Sequence, residues 1–277
     1  MKIVVRIPNW IGDVMFSLPA LESLKANFPD DEVWLAANAW VKDLFSEGGF
    51  SSRIIPLDDS IRLKNLRFIS RVLKRHNFDV GLLLTNSFSS ALLFAMAGIR
   101  ERWGYGRDGR SLLLTKSVPW NEQGPPRHMV HYYLQLLEGL GLNVLPPEIR
   151  AQASAEEKER ALQELRALGA NPENPLVILH PGAAFGSAKR WPALRFAELA
   201  RLLRNAKNAD IAITGAAGDA DLAEAISSAL PEKPLLLAGK TSLSRLLGVI
   251  SRASVFITND TGPAHLANAL RDRKSVV

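Results

Sequence analysis

Residues 256–265 read Phe-Ile-Thr-Asn-Asp-Thr-Gly-Pro-Ala-His. An apolar run followed by a polar turn, with a proline near the start of the next helix, is typical of a strand–loop–helix unit. Such a unit points free backbone N–H groups and the positive end of a helix dipole at the space above the sheet, where phosphate groups commonly bind. Asp260, Thr261 and His265 would crowd the same point. The stretch therefore predicts a pocket for a nucleoside diphosphate.

Short apolar runs alternate with helical patterns along the rest of the chain. Residues 2–7 and 80–85 are suited to buried parallel strands, and helical apolar spacing follows the first of them. A turn-rich connector at residues 171–175 separates this pattern from a second one, which begins with the strand Leu176–His180. We predict an α/β fold of two doubly wound Rossmann-type domains, 1–170 and 171–277, that face a cleft.

The composition favours an intracellular protein with anionic partners. The 277 residues are 47% hydrophobic and include no cysteine, so disulfides and thiolate metal sites are excluded. No apolar run approaches the ~20 residues of a membrane span. A net charge of +6 favours nucleic acid, an anionic membrane surface or a phosphorylated substrate as partner, although ordinary solvated cations explain it equally well. Nucleic acid fits least, because we find no RNA-binding or helix-turn-helix signature.

Asp13 follows the first strand, at the edge of the sheet where ligands bind in open α/β folds. The neighbouring Gly12 allows close approach of the backbone, and Trp10 offers a flat wall for a sugar ring. A carboxylate in this position can act as a general base if it reaches the attacking hydroxyl. The alternative is an N-terminal cap of the following helix, and spacing alone favours the cap.

Two further loops carry groups that could contact a diphosphate or a ribose. Residues 180–183 precede Lys189 and Arg190, whose charges can neutralise a diphosphate, although a loop with surface cations is an equal alternative. No Walker motif follows. Residues 215–219 come after the next strand, where Asp219 or Asp221 would bind a ribose hydroxyl or simply begin a helix.

Other reaction classes find little support in the sequence. The five histidines show no spacing typical of metal ligands, and no Gly-x-Ser-x-Gly elbow indicates a serine hydrolase. The loops that follow the strands of the second domain are expected to converge on one ligand, with Asp13 supplied by the first domain. This arrangement predicts an enzyme that holds a nucleotide in one domain and an acceptor in the other.

Four segments together indicate a family. They read Pro-Asn-Trp-Ile-Gly-Asp-Val-Met at 8–15, Asn-Ser-Phe-Ser-Ser-Ala-Leu at 86–92, Pro-Gly-Ala-Ala-Phe-Gly-Ser-Ala-Lys-Arg-Trp-Pro at 181–192 and Thr-Asn-Asp-Thr-Gly-Pro-Ala-His at 258–265. In these segments and their order the chain resembles the bacterial lipopolysaccharide heptosyltransferases of glycosyltransferase family 9. Residues 185–192 are more similar to the subfamily that adds the second heptose than to the one that adds the first.

The resemblance implies a GT-B fold and an inverting transfer of L-glycero-D-manno-heptose from ADP-heptose to the first inner-core heptose of lipopolysaccharide. It implies Asp13 as the general base, now favoured over the cap, and Lys189 as the cation that neutralises the diphosphate leaving group. No metal or other cofactor is expected. The first domain would bind the acceptor and the second the donor. The residues implied to hold ADP are Asp219 (near the ribose), Asp260, Thr261, Gly262 and His265.

The same resemblance implies the partners and the place of action. The acceptor would be a phosphorylated lipid A–core molecule, met by a cytoplasmic enzyme in peripheral contact with the inner membrane; no nucleic acid partner is expected. One alternative is heptosyltransferase I or another nucleotide-sugar transferase of the family. The other is an inactive module that only binds a nucleotide.

The end of the chain leads us to expect an incomplete second domain. Family members continue past the helix at 266–270 with a further strand, a glycine-proline loop and terminal helices, whereas residues 271–277 here read Arg-Asp-Arg-Lys-Ser-Val-Val. We expect this tail to be foreign or frameshifted, with a natural short variant as the alternative. A chain of this kind is expected to be unstable or poorly active.

Overall fold

The computed structural model describes residues 1–45, 50, 52–57, 63–120, 128–183 and 189–270. The predicted features at 185–188 and 271–277 lie outside these residues. The chain forms two compact units, Met1–Ile149 and Arg150–Val277. Each unit combines parallel strands with helices, as the alternating sequence pattern predicts.

The first unit contains a parallel sheet in the order β3-β2-β1-β4-β5-β6. The chain reverses its direction of winding between β1 and β4, and ligands of open α/β sheets bind at such a point. The elements are β1 (Lys2–Arg6), α1 (Ile11–Asn27), β2 (Glu32–Asn38), a 3₁₀ helix (Ala39–Phe45), β3 (Ile54–Leu57), α2 (Leu63–Arg75), β4 (Val80–Leu83), α3 (Phe88–Met96), β5 (Glu101–Tyr105), a 3₁₀ helix (Ser111–Leu113), β6 (Lys116–Val118) and α4 (Met129–Gly139).

The central strand β1 forms part of the hydrophobic core of the first unit. Ile3, Val4 and Val5 of β1 are fully buried, because helices cover both faces of a parallel sheet. The helices α2 and α3 pack together in the cluster that includes Val4, and α1 packs against α4. The carboxyl ends of β1 and β4 are thereby held in a fixed register, with Arg6 opposite Leu83.

The second unit repeats the first part of this topology. Its sheet has the order β10-β7-β8-β9, again with every pair parallel, which corresponds to β4-β1-β2-β3 of the first unit. The point of reversal therefore lies between β7 and β10. The elements are α5 (Ala155–Ala167), β7 (Leu176–His180), α6 (Ala193–Lys207), β8 (Asp210–Ile213), a 3₁₀ helix (Ala217–Asp219), α7 (Ala220–Ser228), β9 (Leu235–Leu236), α8 (Leu243–Arg252), β10 (Val255–Thr258) and α9 (Gly262–Ala269).

The division between the units falls before α5, whereas the turn-rich connector placed it after this helix, at 170/171. The reason is that α5 packs on α8. Arg245 of α8 lies 3.4 Å from a carboxylate oxygen of Glu157 and 3.4 Å from one of Glu164. A Cβ on Gly248 of α8 would lie 2.5 Å from the carbonyl oxygen of Glu157, so only glycine allows the two backbones to approach this closely.

None of the helices in the described part of the chain is both long enough and apolar enough to cross a bilayer.

Candidate functional site

A cavity of about 650 Å³ lies where β1 and β4 end in the first unit. It occupies the point at which the winding of the sheet reverses, as expected for a ligand site in this fold. Its lining combines a carboxylate, amides, hydroxyls and aromatic rings. The residues of this lining include Asn9, Trp10, Asp13, Asn86, Trp120, Tyr132 and Tyr133.

Asp13 lies in the first turn of α1, which begins at Ile11, and not in the loop before this helix, where the sequence pattern placed it. The N-cap residue is Trp10, whose side chain makes no capping hydrogen bond. The alternative that Asp13 is the N-cap is therefore wrong. A carboxylate in the first turn is favoured by the helix dipole, and this one also lines the cavity.

The ring of Tyr133 lines the cavity close to Asp13. Burial, with a smaller contribution from the Asp13 charge, raises the pKa of the Tyr133 hydroxyl above its ordinary value. This tyrosine is thus a neutral hydroxyl at physiological pH. The carboxylate is the group in this pair that can accept a proton.

A buried arginine supports the cavity from β1. The Nη1 atom of Arg6 donates to the carbonyl oxygens of Ile7 (2.6 Å) and Ala36 (3.3 Å), and its Nη2 atom donates to Oδ1 of Asn9 at 2.5 Å. Because the amide oxygen of Asn9 is held in this way, its orientation at the cavity wall is fixed. Sequence reasoning assigned no role to Arg6, since it stands inside an apolar strand pattern.

A second buried arginine supports the other side. Arg110 donates from Nε to the carbonyl oxygen of Tyr105 (2.8 Å), from Nη2 to Oδ1 of Asn86 (3.2 Å) and from Nη1 to the carbonyl oxygen of Thr85. Asn86 then donates from Nδ2 to the hydroxyl of Tyr132 at 2.5 Å. Burial lowers the pKa of the Arg110 guanidinium. The chain of contacts orients an amide and a phenol toward the cavity.

The cavity has the chemistry of a sugar site. The indole of Trp10 is 56% exposed and offers a flat apolar surface, while amide and hydroxyl groups can exchange hydrogen bonds with sugar hydroxyls. Trp120 lies edge-on to Tyr132, with ring centroids 4.7 Å apart, and completes the aromatic side. A carboxylate beside these groups can take a proton from a bound hydroxyl.

In the second unit, the loops after β7 and β10 bring two predicted donor-site residues together. Lys189 donates from Nζ to Oδ2 of Asp260 at 2.7 Å, and both side chains are exposed to solvent. This hydrogen bond, and to a smaller extent the charges of Lys189 and His265, hold the pKa of Asp260 below its ordinary value. Lys189, Asp260 and His265 therefore surround one point at the carboxyl edge of the sheet.

Asn259 ties these two loops together, and the sequence analysis gave it no role of its own. Its Nδ2 atom donates to the carbonyl oxygen of Pro181 at 2.7 Å, with Gly182 oxygen at 3.4 Å, and its Oδ1 atom accepts from the backbone N–H of Trp191 at 3.0 Å. One side chain thus fixes both ends of the segment that carries Lys189. Its place in a strand-ending Thr-Asn-Asp-Thr turn was the only available signal.

Asp219 is engaged within the protein. Its Oδ2 atom accepts from the backbone N–H of Ala216 at 3.0 Å, and its Oδ1 atom lies 3.7 Å from Nη2 of Arg190. A Cβ on Gly182 would overlap the Asp219 carboxylate, so the loop after β7 needs glycine here. These contacts favour a role in closing the two loops, and the ribose contact implied by the resemblance stays a prediction.

Thr261 and Gly262 form the N-terminal end of α9, with a proline in the first turn, as the sequence predicts. Thr261 is the N-cap residue, yet its side chain caps no backbone N–H. Its Oγ1 atom lies instead 3.1 Å from Oγ1 of Thr258. The helix end therefore presents its positive dipole beside Asp260 and Lys189 without a side-chain cap.

His180 closes β7 beneath these loops and is buried. Its Nδ1 atom lies 3.0 Å from Oγ1 of Thr214. Burial lowers the pKa of His180 to about 4, against a smaller opposing effect of the Asp219 charge. The ring is thus neutral at physiological pH and supports the loop structurally.

Among the residues that the structure describes, no three histidine, aspartate or glutamate side chains converge as metal ligands would.

Residues 66–276 match the model of glycosyltransferase family 9 (heptosyltransferase). The chain belongs to this family and is a glycosyltransferase. The predicted resemblance is confirmed.

Curated relatives extend this result along the chain. Lipopolysaccharide heptosyltransferase 2 of Salmonella typhimurium is 31% identical over 98% of this chain and 80% of its own length. Lipooligosaccharide heptosyltransferase 2 of Haemophilus influenzae is 30% identical over 98% of this chain and 81% of its own.

Solved structures confirm the predicted α/β, GT-B-like fold class. The structure of Escherichia coli ADP-heptose lps heptosyltransferase II matches with a TM-score of 0.85 and 30% identity, over 100% of this chain and 84% of that one. A family 9 glycosyl transferase from Veillonella parvula matches with a TM-score of 0.87 at 22% identity, over 99% and 79% of the two chains.

Proposed function

We propose that this glycosyltransferase moves L-glycero-D-manno-heptose from ADP-heptose to the first inner-core heptose of lipopolysaccharide, with inversion at the transferred carbon. Several relatives at about 30% identity are named heptosyltransferase 2, and the E. coli structure at this identity is described as an ADP-heptose enzyme. Heptosyltransferase I is a weaker alternative, since the relatives at about 30% identity cited above carry the name heptosyltransferase 2.

The observation that carries the proposal is Asp13 in a sugar-sized cavity at the reversal point of the first sheet. In the proposed reaction, an acceptor hydroxyl attacks the first carbon of the donor heptose. Its proton passes to a carboxylate oxygen of Asp13. The bond between that carbon and the diphosphate oxygen breaks, and ADP leaves with the electron pair. The buried Tyr133 hydroxyl stays protonated throughout, because its pKa is raised.

The donor would lie on the loops after β7 and β10. Lys189 would exchange its hydrogen bond with Asp260 for one with the diphosphate, so that the leaving group is neutralised by a group that is already in place. The uncapped end of α9, with Thr261 and Gly262, would face the phosphates, and His265 would add a further contact. We keep Asp219 as a ribose contact of lower rank, because its carboxylate already binds Ala216 and Arg190.

We further propose that the acceptor is a phosphorylated lipid A–core molecule and that the enzyme meets it in the cytoplasm, in peripheral contact with the inner membrane. The excess of basic residues supports an anionic acceptor and an anionic surface. The inactive nucleotide-binding module is the competing proposal, and catalysis by Asp13 distinguishes the two.

The test is transfer from ADP-heptose to a lipopolysaccharide core that carries a single heptose. Asp13→Asn should reduce the rate by roughly 100- to 10,000-fold, the usual contribution of a general base, and leave the affinity for ADP unchanged by calorimetry. Glu156→Gln is the matched control, since Glu156 also stands in the first turn of a helix. Equal loss of ADP affinity and turnover in Asp13→Asn would assign Asp13 a structural role. Selective binding of ADP without transfer by the unaltered chain would support the module.

A further inference from the structure

The exposed face of α2 is strongly basic. Arg67, Arg71, Lys74 and Arg75 point to solvent, and Phe68 between them is 70% exposed. The sequence of this helix, Leu-Lys-Asn-Leu-Arg-Phe-Ile-Ser-Arg-Val-Leu-Lys-Arg, contains no acidic residue. We call these five side chains the α2 face.

The opposite side of the helix fixes this orientation. Leu66, Ile69 and Leu73 are buried in the core of the first unit, where they pack with residues of α3 and with the sheet. Because these side chains recur at helical spacing, the basic residues between them cannot turn inward. An amphipathic helix in the plane of a membrane surface has this combination of cations and a large apolar side chain.

The α2 face also differs from α6, another basic helix. Within the described residues, none of its four cations forms an ion pair, whereas on α6 Arg195 pairs with Glu198 at 2.9 Å and Arg204 lies 3.5 Å from Glu232. The positive charge of α2 is therefore not neutralised by a carboxylate of the described residues. An anionic surface is the complementary partner.

The position of the helix relates this face to the cavity. In the β3-α2-β4 crossover, α2 begins at the edge of the sheet where the strands end, which is the edge at which the cavity lies. Phe88, 49% exposed, begins the adjacent α3 between Ser87 and Ser89, which both line the cavity. Because α2 runs from this edge toward the opposite one, Arg67 and Phe68 in its first half lie nearer the cavity edge than Lys74 and Arg75 do.

We propose that the α2 face docks this protein on a bilayer of anionic phospholipids, with Phe68 inserted among the headgroups and the four cations above it. The proposal rests on the proposed function in one respect: a lipid-anchored acceptor gives the docking its purpose. A flat anionic surface fits this face better than a nucleic acid does, because Phe68 is the one aromatic residue of α2 and offers no row of rings on which successive bases could stack.

The test is sedimentation of the full chain with vesicles of phosphatidylcholine alone or mixed with phosphatidylglycerol. We expect binding to the mixed vesicles that weakens with salt. Each cation near an anionic bilayer raises the affinity about 5-fold, so the double variant Arg71→Gln with Lys74→Gln should bind about 30-fold more weakly. The matched control is Arg201→Gln with Lys207→Gln, two exposed cations of α6, which should bind like the unaltered chain.

A second variant and a second substrate keep the result interpretable. Phe68→Ser should weaken vesicle binding without changing the net charge. Failure of the unaltered chain to bind the mixed vesicles would overturn the proposal, as would equal losses in the α2 and α6 variants. Transfer to a lipid-free core saccharide separates the two proposals: the α2 variants should match the unaltered chain there. If that saccharide is never heptosylated while vesicle binding still depends on the α2 face, the proposed heptose transfer fails and the docking stands.

Discussion

We predict that replacement of Asn259 lowers the affinity for ADP because it disorders the donor loops, and not because it destabilises the protein as a whole. Its side chain makes two good hydrogen bonds, to the Pro181 carbonyl oxygen at 2.7 Å and from the Trp191 N–H at 3.0 Å. At about 1 kcal/mol for each hydrogen bond, Asn259→Ala should destabilise the ordered conformation of the two loops by about 2 kcal/mol. A ligand that binds only the ordered loop must restore this order, so the affinity for ADP should fall by about 30-fold at most.

Asn259→Asp sharpens the comparison, because it has the same size. The carboxylate still accepts from Trp191 but faces the carbonyl oxygen of Pro181 with a negative charge and no donor, so this variant should bind ADP more weakly than Asn259→Ala. Asn174→Ala is the matched control. Asn174 also makes two side-chain bonds within the second unit, to Asp210 at 3.1 Å and from Asn208 at 2.9 Å, but it precedes β7 at the opposite edge of the sheet.

Isothermal calorimetry with ADP is the assay, with denaturation by urea as the measure of stability. We expect both alanine variants to lose similar stability and only Asn259→Ala to lose affinity. Unchanged ADP affinity in both Asn259 variants would refute the reasoning. Equal loss of affinity in Asn174→Ala would show that general destabilisation, and not the link between the two loops, controls binding.

Three further predictions concern single side chains. The pKa of His180 is about 4 in the folded chain and 6.5 in a free imidazole side chain, so the unfolded state takes up the proton at a higher pH than the folded state. The free energy of unfolding should therefore be highest above pH 6.5 and fall by about 3 kcal/mol toward pH 4. His180→Phe should remove this part of the pH dependence measured by urea denaturation. An NMR titration that gives His180 an ordinary pKa would contradict this. Lys189→Met should weaken ADP binding about 10-fold by calorimetry, because a charge-assisted hydrogen bond to the diphosphate is lost, whereas Lys207→Met should not. Arg110→Met should lower the free energy of unfolding of the first unit by about 3 kcal/mol in urea, because one buried and two partly buried oxygen acceptors lose a charged donor. A loss below about 1 kcal/mol would mean that water replaces the guanidinium.

The elements with continuous apolar runs could be predicted from the sequence. β1, β4, β7 and β10 are buried along most of their length, so hydrophobicity alone reveals them. The sequence pattern did not predict β5 (Glu101–Tyr105) or β6 (Lys116–Val118), because β5 begins half-buried and β6 is an edge strand with two exposed residues. Charged residues are tolerated at such positions, and the apolar pattern disappears with them.

The candidate sites divide in the same way. The sequence alone determined the strand–loop–helix units that carry Asp13 and Asp260, because strand, turn and helix signals are local. Only the tertiary structure decided how Arg110 supports Asn86, how Asn259 joins two loops and how Asp219 is engaged by Arg190. These contacts link residues that are distant in the chain, and they form because the strand order places the ends of β1 beside β4 and of β7 beside β10. No local pattern records which strand will become a neighbour.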